Sequence, residues 1–302
     1  MTIAANSGEP ARGRWRSQAK VNICLRVVGR RADGYHLLDS IFLPIDLYDD
    51  VRIEVHDIRA GAQTRIDLRT NDPAVPTDET NLAVRAARAL FEARGIGATV
   101  SIDLHKRIPA GAGLGGGSGN AATVLRGLND ILKLGLTTVE LQQVGLQLGA
   151  DVPFFLAGAP ARVRGVGEVI EPLGHWPAMS LAIVVPPIQV ATPWAFDRYR
   201  EAVPVCTPPA PSEAERLAEG APPDAGLLVN DLEQVILPAF PEIATLKSRL
   251  REVGATAAVM SGSGAAVVGL APSATAAETI AAVLRSEVPR GLVHVAAIPG
   301  VG

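Results

Sequence analysis

Apolar and polar residues alternate from Trp15 to Val28, with Val21, Ile23 and Leu25 on one face and Lys20, Asn22 and Cys24 on the other, which predicts a strand. A turn at GRRADGYH follows, and short alternating or β-branched runs predict further strands at Leu38–Ile45, Val51–Val55, Thr64–Leu68 and Thr99–Leu104. Between the last two, Leu82, Ala86, Ala89, Leu90 and Ala93 repeat at helical spacing, with Asn81 or Thr80 as cap and Gly95 as stop. A second helix is predicted from the stripe Ala121, Val124, Leu125, Leu128 and Leu132, capped by Ser118 or Asn120, and a third from Thr138 to Leu148. In DVPFF, Pro153 steers Val152 away from helix, so Asp151 is expected at a fixed bend.

Beyond it, ARVRGVGEVIEPL reads as a hairpin, SLAIVVPP as a buried strand, and TPWAFDRYRE as a short helix capped by Thr192. Residues 203–226 contain six prolines and little periodicity, which predicts a surface insert. Helices resume at Leu227 and after Pro241, and the chain closes on a strand, turn, strand, helix, strand run with a helix over Ala274–Arg285. The long uncharged stretch Gly254–Ala276 carries SGSG and a proline, so it reads as a buried hairpin and not as a membrane helix.

With 302 residues, 48% of them hydrophobic, the chain can bury two ordinary cores. The expected division is a disordered tail over 1–13, one domain over 14–165 and a second over 166–302. A net charge of -3 gives no global field for nucleic acid or an anionic membrane, so any anion must be bound by a local site. Cys24 and Cys206 have neither metal-ligand spacing nor a disulfide framework, and the N-terminal stretch lacks the apolar run of a secretory signal; both fit a reducing cytoplasm.

The local anion site is legible in IPAGAGLGGGSGNAATVL, where six of the nine positions from Gly111 to Gly119 are glycine, between a strand and an apolar helix. Helix-start amides have no intrahelical partners, and glycines let backbone N–H groups approach phosphate oxygens. A flexible linker would not abut a strand and a helix so directly. A Walker A loop needs a Gly-Lys-Ser/Thr ending that Gly117-Ser118-Gly119 lacks. Gly111, Gly113 and Gly116 fit G-x-G-x-x-G, but the acidic residue a dinucleotide fold needs at a strand end is here Asp130, inside a helix.

The remaining pattern, Pro109 to Gly115 followed by GGSGNAA, resembles the phosphate loop of the galactokinase, homoserine kinase, mevalonate kinase and phosphomevalonate kinase superfamily. SQAKVNICL and SGSGAAVVG are similar to its other two motifs. The blocks QAKVNICL, RADGYHLLDS, TNLAVRAA and LGADVPFF resemble the branch that phosphorylates the 2-hydroxyl of a cytidine-diphosphate-linked methylerythritol on the non-mevalonate route to isoprenoids.

That resemblance implies an α+β, two-domain small-molecule kinase whose glycine-rich loop opens a helix, with a cleft between domains and with ATP and Mg²⁺ as cofactors. It implies Lys20 and Asp151 as the catalytic pair, and Asn22, Tyr35, His36, Thr192 and Phe196 on the acceptor, with Tyr35 and Phe196 stacking on cytosine and His36 reading its edge. On the ATP side it implies Asn81, Lys106, Pro109, Gly111, Gly113, Leu114, Gly115, Gly116, Gly117, Ser118 and Gly119. Gly119 departs from the family, which commonly has a second serine there, so Ser118 is the one hydroxyl left in the loop.

Plainer roles stay open: a solvated strand lysine for Lys20, a capping aspartate for Asp151, a helix cap for Asn81 and core packing for Phe196. Asp46, Asp49 and Asp50 are expected as solvated carboxylates in a turn, and no metal ligands are assigned. His56, His105, His175 and His294 have no ligand spacing. A sister kinase for homoserine or mevalonate, or a nucleotide-binding regulator without catalysis, are the rival readings, and the oligomeric state is not legible.

Overall fold

The computed structural model describes residues 10–60, 63–203 and 211–301. Two compact units are interleaved along the chain, the first taking Met1–Gln18, Tyr48–Ala110 and Gly116–Gly158, the second Ala19–Leu47, Gly111–Gly115 and Ala159–Gly302. These units of three segments each do not coincide with the expected linear division at 165/166. Strands β1 (Ala11–Arg30) and β2 (His36–Ala60) each contribute one part to either unit. Of the expected disordered tail, residues 1–9 lie outside the described residues, while Ala11–Gly13 are already strand, because alternating exposure runs from Ala11 to Arg16.

The first unit continues with β3 (Arg65–Thr70), α1 (Leu82–Arg94), β4 (Ile96–His105), α2 (Gly116–Leu132), α3 (Thr138–Leu146) and α4 (Val152–Ala157). Parallel pairing of β3 with β4 and antiparallel pairing of β4 with β2 put Val51, Ile53, Val55, Val100, Ile102 and Leu104 on one buried face. Helix α2 crosses that face at Gly127, where a Cβ would lie 2.8 Å from Ile53 Cδ1. Asn81 caps α1 through its side chain to the amide of Ala83, and Gly95 ends the helix at φ 63°. Helix α2 starts at Gly116, so Ser118 and Asn120 lie inside its first turns and are not its caps.

The two strands expected at 38–45 and 51–55 are one. Leu43, Ile45, Leu47, Asp49, Val51, Ile53 and Val55 are all buried, so the period-two row runs unbroken and Asp49 takes an inward place in it. The polar triplet that reads as a turn is strand, and Asp49 is not solvated.

The second unit adds β5 (Ala161–Gly165), β6 (Val169–Pro172), β7 (Met179–Val185), α5 (Thr192–Ala202), α6 (Glu213–Ala218), β8 (Val229–Asn230), α7 (Glu233–Ala239), α8 (Pro241–Glu252), β9 (Ala257–Met260), β10 (Val267–Ala271), α9 (Ala274–Glu287) and β11 (Leu292–Ile298). The order β11-β7-β10-β9 makes an antiparallel sheet, and β9 and β10 form the hairpin expected around SGSG. Its core joins Leu25, Val184, Val190, Leu232, Ile243, Leu250, Met260 and Leu284. No helix among the described residues is long and apolar enough to cross a membrane.

The proline-rich stretch is no loose insert where it is described. Ser212 caps α6 and donates to Asp39, which is also clasped by Arg162 at 2.8 and 2.9 Å. Glu213 pairs with Arg26, Arg26 reaches Asp231, and Ala214 and Leu217 are buried. The Arg26 guanidinium, through its hydrogen bonds, holds the Glu213 carboxyl below the usual range.

Candidate active site

In the second unit, β1 is buried on both faces from Ala19 to Leu25, which encloses Lys20 and Asn22. Lys20 Nζ donates to Asn22 Oδ1 at 2.5 Å and to the carbonyl of Gly113 at 3.1 Å, and sits 4.7 Å from the centre of the Phe42 ring. Asn22 Nδ2 donates to Ser40 Oγ at 3.1 Å, which fixes the amide so that its oxygen faces the ammonium. The solvated-lysine alternative is thereby removed, since Lys20 is 3% exposed.

Glycine-loop geometry explains the composition. Gly111, Gly113 and Gly115 have φ of 68°, 76° and 70°, the left-handed region that glycine enters without strain. At Gly113 a Cβ would also lie 2.1 Å from the carbonyl oxygen of Ser261, so no larger residue fits. Between them Leu114 is buried and accepts from the amide of Lys20 at 3.0 Å, anchoring the loop to β1. Pro109 is half-buried ahead of the loop.

Ser261, from the turn after β9, accepts from the amide of Asn22 and donates to the carbonyl of Gly113, each at 3.0 Å. Asn230 Nδ2 in turn holds the carbonyls of Met260 and Gly262 at 2.7 and 2.8 Å. Thr192 is the first residue of α5 and not its cap, which is Ala191; its hydroxyl lies 2.8 Å from that of Ser263. Sequence reading reached SGSG as a motif but missed Ser261, Ser263 and Asn230, whose partners are remote in the chain and leave no spacing signal.

His36 stacks on Phe196 at 5.3 Å between ring centres and meets Tyr199 edge-on at 6.0 Å. Tyr35 is 65% exposed. The ring lying against Phe196 is thus His36, where the resemblance implied that Tyr35 and Phe196 flank a base. Burial, then the charges of Arg30 and Arg200, push the His36 imidazole below its usual range, favouring the neutral ring.

In the first unit, α2 presents Gly116, Gly117, Ser118 and Gly119 in its first turn, with Gly117 exposed, Ser118 half-buried and Gly119 buried. A Cβ at Gly119 would lie 2.7 Å from the carbonyl oxygen of Gln18 and 3.1 Å from Ser17 Oγ, so a serine there does not fit this chain. The Lys106 side chain is buried against Asp49 and Asn120. Asn81 uses its side chain on the amide of Ala83 and the carbonyl of Pro76. Asp151 is half-buried at the N-cap position of α4, where its carboxylate makes no capping hydrogen bond to that helix.

Models of the GHMP kinases N terminal domain and of the GHMP kinases C terminal domain match residues 81–159 and 214–290. The 4-diphosphocytidyl-2-C-methyl-D-erythritol kinase of Gloeobacter violaceus is 41% identical over 280 residues, covering 91% of this chain and 90% of its own. That of Symbiobacterium thermophilum is 41% identical, covering 84% and 89%. A crystal structure of 4-(cytidine 5'-diphospho)-2C-methyl-D-erythritol kinase, 35% identical, superposes with a TM-score of 0.75 over 96% of this chain and all of its own. The Cytophaga hutchinsonii homoserine kinase shares the fold at 18% identity and TM-score 0.68. By sequence along most of its length and by architecture, the chain belongs to the GHMP kinase family.

Proposed function

We propose that this protein transfers the γ-phosphoryl group of ATP to the 2-hydroxyl of 4-(cytidine 5'-diphospho)-2-C-methyl-D-erythritol, a step toward isoprenoid precursors, in the cytoplasm. The observation that carries the reading is the buried Lys20 ammonium, fixed between Asn22 and the glycine-loop carbonyl of Gly113, in a chain whose relatives bear that kinase's name. In the transfer, the acceptor oxygen bonds to Pγ as the bond from Pγ to the β,γ-bridging oxygen breaks, and the hydroxyl proton passes to the Asp151 carboxylate. ADP leaves. The ammonium offsets negative charge on the transferring group, and loop amides orient the phosphates, so positioning and electrostatics supply most of the rate.

Neutral His36 reads the polar edge of the cytosine, and Tyr35 and Phe196 offer their rings to its faces. The hydroxyl pair of Thr192 and Ser263 offers the acceptor hydrogen bonds. For Mg²⁺, the hard oxygens of Ser118 and Asp151 are suitable donors, while the described residues include no cluster of three metal-binding side chains. Mg²⁺ would be held chiefly by the nucleotide phosphates and water, and Ser118 and Asp151 are the side chains that would contact it. When bound, the ion neutralises phosphate charge.

The test is ADP release by the purified protein with Mg·ATP and, in parallel, the cytidine-linked methylerythritol, homoserine or mevalonate. The first should be turned over with the highest kcat/KM. Preference for another alcohol would point to a sister kinase, and ATP binding without any turnover to a regulator.

A further inference from the structure

Asp49 has no part in the transfer chemistry, yet its carboxylate is 0% exposed and accepts four described hydrogen bonds. Oδ1 takes the backbone amides of Arg107 at 2.7 Å and Ile108 at 2.9 Å. Oδ2 takes the Lys106 ammonium and, at 2.9 Å, Asn120 Nδ2. Asn120 lies in the second turn of α2, donates also to Ser17 Oγ at 2.9 Å, and accepts from Lys106 Nζ at 3.2 Å. The backbone of Lys106 is pinned again by Asn71, which accepts from its amide at 2.6 Å and donates to its carbonyl at 3.2 Å.

These contacts have a common geometry. Residues 106–108 lead into the glycine loop, and α2 leads out of it, so one carboxylate ties both ends of the loop. At the helix start the fit is close: a Cβ at Gly116 would lie 2.9 Å from Ile108 Cγ2 and 3.2 Å from Lys106 Nζ. A fully buried carboxylate is expensive to desolvate, and a hydrophobic replacement of the pair would often be as stable, so its stability contribution does not account for it. Fixed spacing does, because amide donors stabilise an anion best when they need no rearrangement.

We propose that Asp49 is a positioning residue for nucleotide binding, holding the entry and exit of the glycine loop at one separation so that the loop amides are preset for phosphate. Lys106 acts here as the charged partner of this clamp. The proposal rests on the reading of the loop as the ATP site.

Asp49→Asn keeps an acceptor for the two backbone amides but sets an amide donor against the ammonium. Asn120→Ala cuts the link to α2 and leaves the Lys106 pair in place. Both should raise the KM for ATP, and the calorimetric Kd for ATP, about tenfold or more, as expected for a lost hydrogen bond to a charged group. The KM of the acceptor should stay within about twofold, a split that general loosening of the fold would not produce. ATP affinity within about twofold of the parent in either folded variant would overturn the proposal, whatever its melting temperature. If Asp49→Asn does not fold, Asn120→Ala decides alone. Should the parent bind ATP without turning over the cytidine-linked acceptor, the functional reading fails while calorimetry on the variants still judges Asp49; a parent that binds no ATP overturns both.

Discussion

The hydroxyl of Ser261 joins the carbonyl of Gly113, 148 residues earlier, at 3.0 Å while accepting from the amide of Asn22, so one side chain locks the glycine loop to strand β1. Removing it with Ser261→Ala leaves the buried Asn22 amide without that acceptor, which should cost about 1–3 kcal/mol. Thermal unfolding should register the loss, and the KM for ATP should rise several-fold because Gly113 loses a donor. An unchanged melting curve and KM would show that the lock is dispensable.

The loop glycines should not be equivalent. Gly111→Ala faces only the left-handed backbone, with Gln189 Cγ at 3.9 Å from the new Cβ, and should cost about 1–2 kcal/mol. Gly113→Ala meets the Ser261 carbonyl as well and must displace backbone, so ATP binding should be lost. Comparable affinities for ATP in the two variants would contradict this account.

Asp151→Asn should lower kcat by about 10² to 10⁴ with the KM for ATP nearly constant, if the carboxylate accepts the acceptor's proton as proposed. Single-turnover kinetics with near-parent rates would reassign the residue.

On the proposed function, His36 should carry the pH dependence of acceptor binding. Its folded value lies below the usual one, so the ring stays neutral to somewhat below about pH 6.5, and in acid the unfolded chain takes up the proton more readily than the folded one. The acceptor KM should rise as the pH falls through this lowered value, and so at lower pH than an ordinary histidine would dictate. Arg200→Gln removes one of the like charges and should shift that rise to higher pH. A profile that stays put in this variant would mean that the Arg200 charge is not felt at the ring.

Replacing residues 203–226 by a Gly/Ser linker should destabilise the protein by at least about 2 kcal/mol, since it removes the buried Leu217 side chain and takes the Glu213 partner away from Arg26. Because Glu213 is depressed, its contribution is present above its unfolded value, about 4.3, and fades as pH falls through the folded one. Acid melts of Arg26→Met should lack that component. Equal melting temperatures for parent and linker variant would restore the view of this stretch as an insert.

What was legible in the sequence was local. Alternation placed Lys20 and Asn22 on one strand, and the glycine run announced a backbone that side chains would obstruct. Asn81 before an apolar helical stripe was readable as a cap, and is one. The misreadings came from weighing residue type above period. DLYDD looked like a turn because three carboxylates are crowded there, whereas the row from Leu43 to Val55 keeps its step of two through Asp49. Six prolines hid α6, although Ser212 followed by Glu215 is a helix-start signature. Contacts such as Arg26 with Glu213 or Thr192 with Ser263 bring together positions 187 and 71 residues apart, and no spacing rule encodes them.

The interleaved units also dictate an order of assembly on the ribosome. Every segment of the first unit has been synthesised once Gly158 emerges, so it can close while the rest of the chain is still being made. The second cannot, because its share of β1 waits for β8, and the amide of Val27 finds the Asp231 carboxylate only 204 residues later. Until then β1 lacks its β8 partner at Cys24 and Leu25, and that edge stays open to other pairings for most of the chain's synthesis.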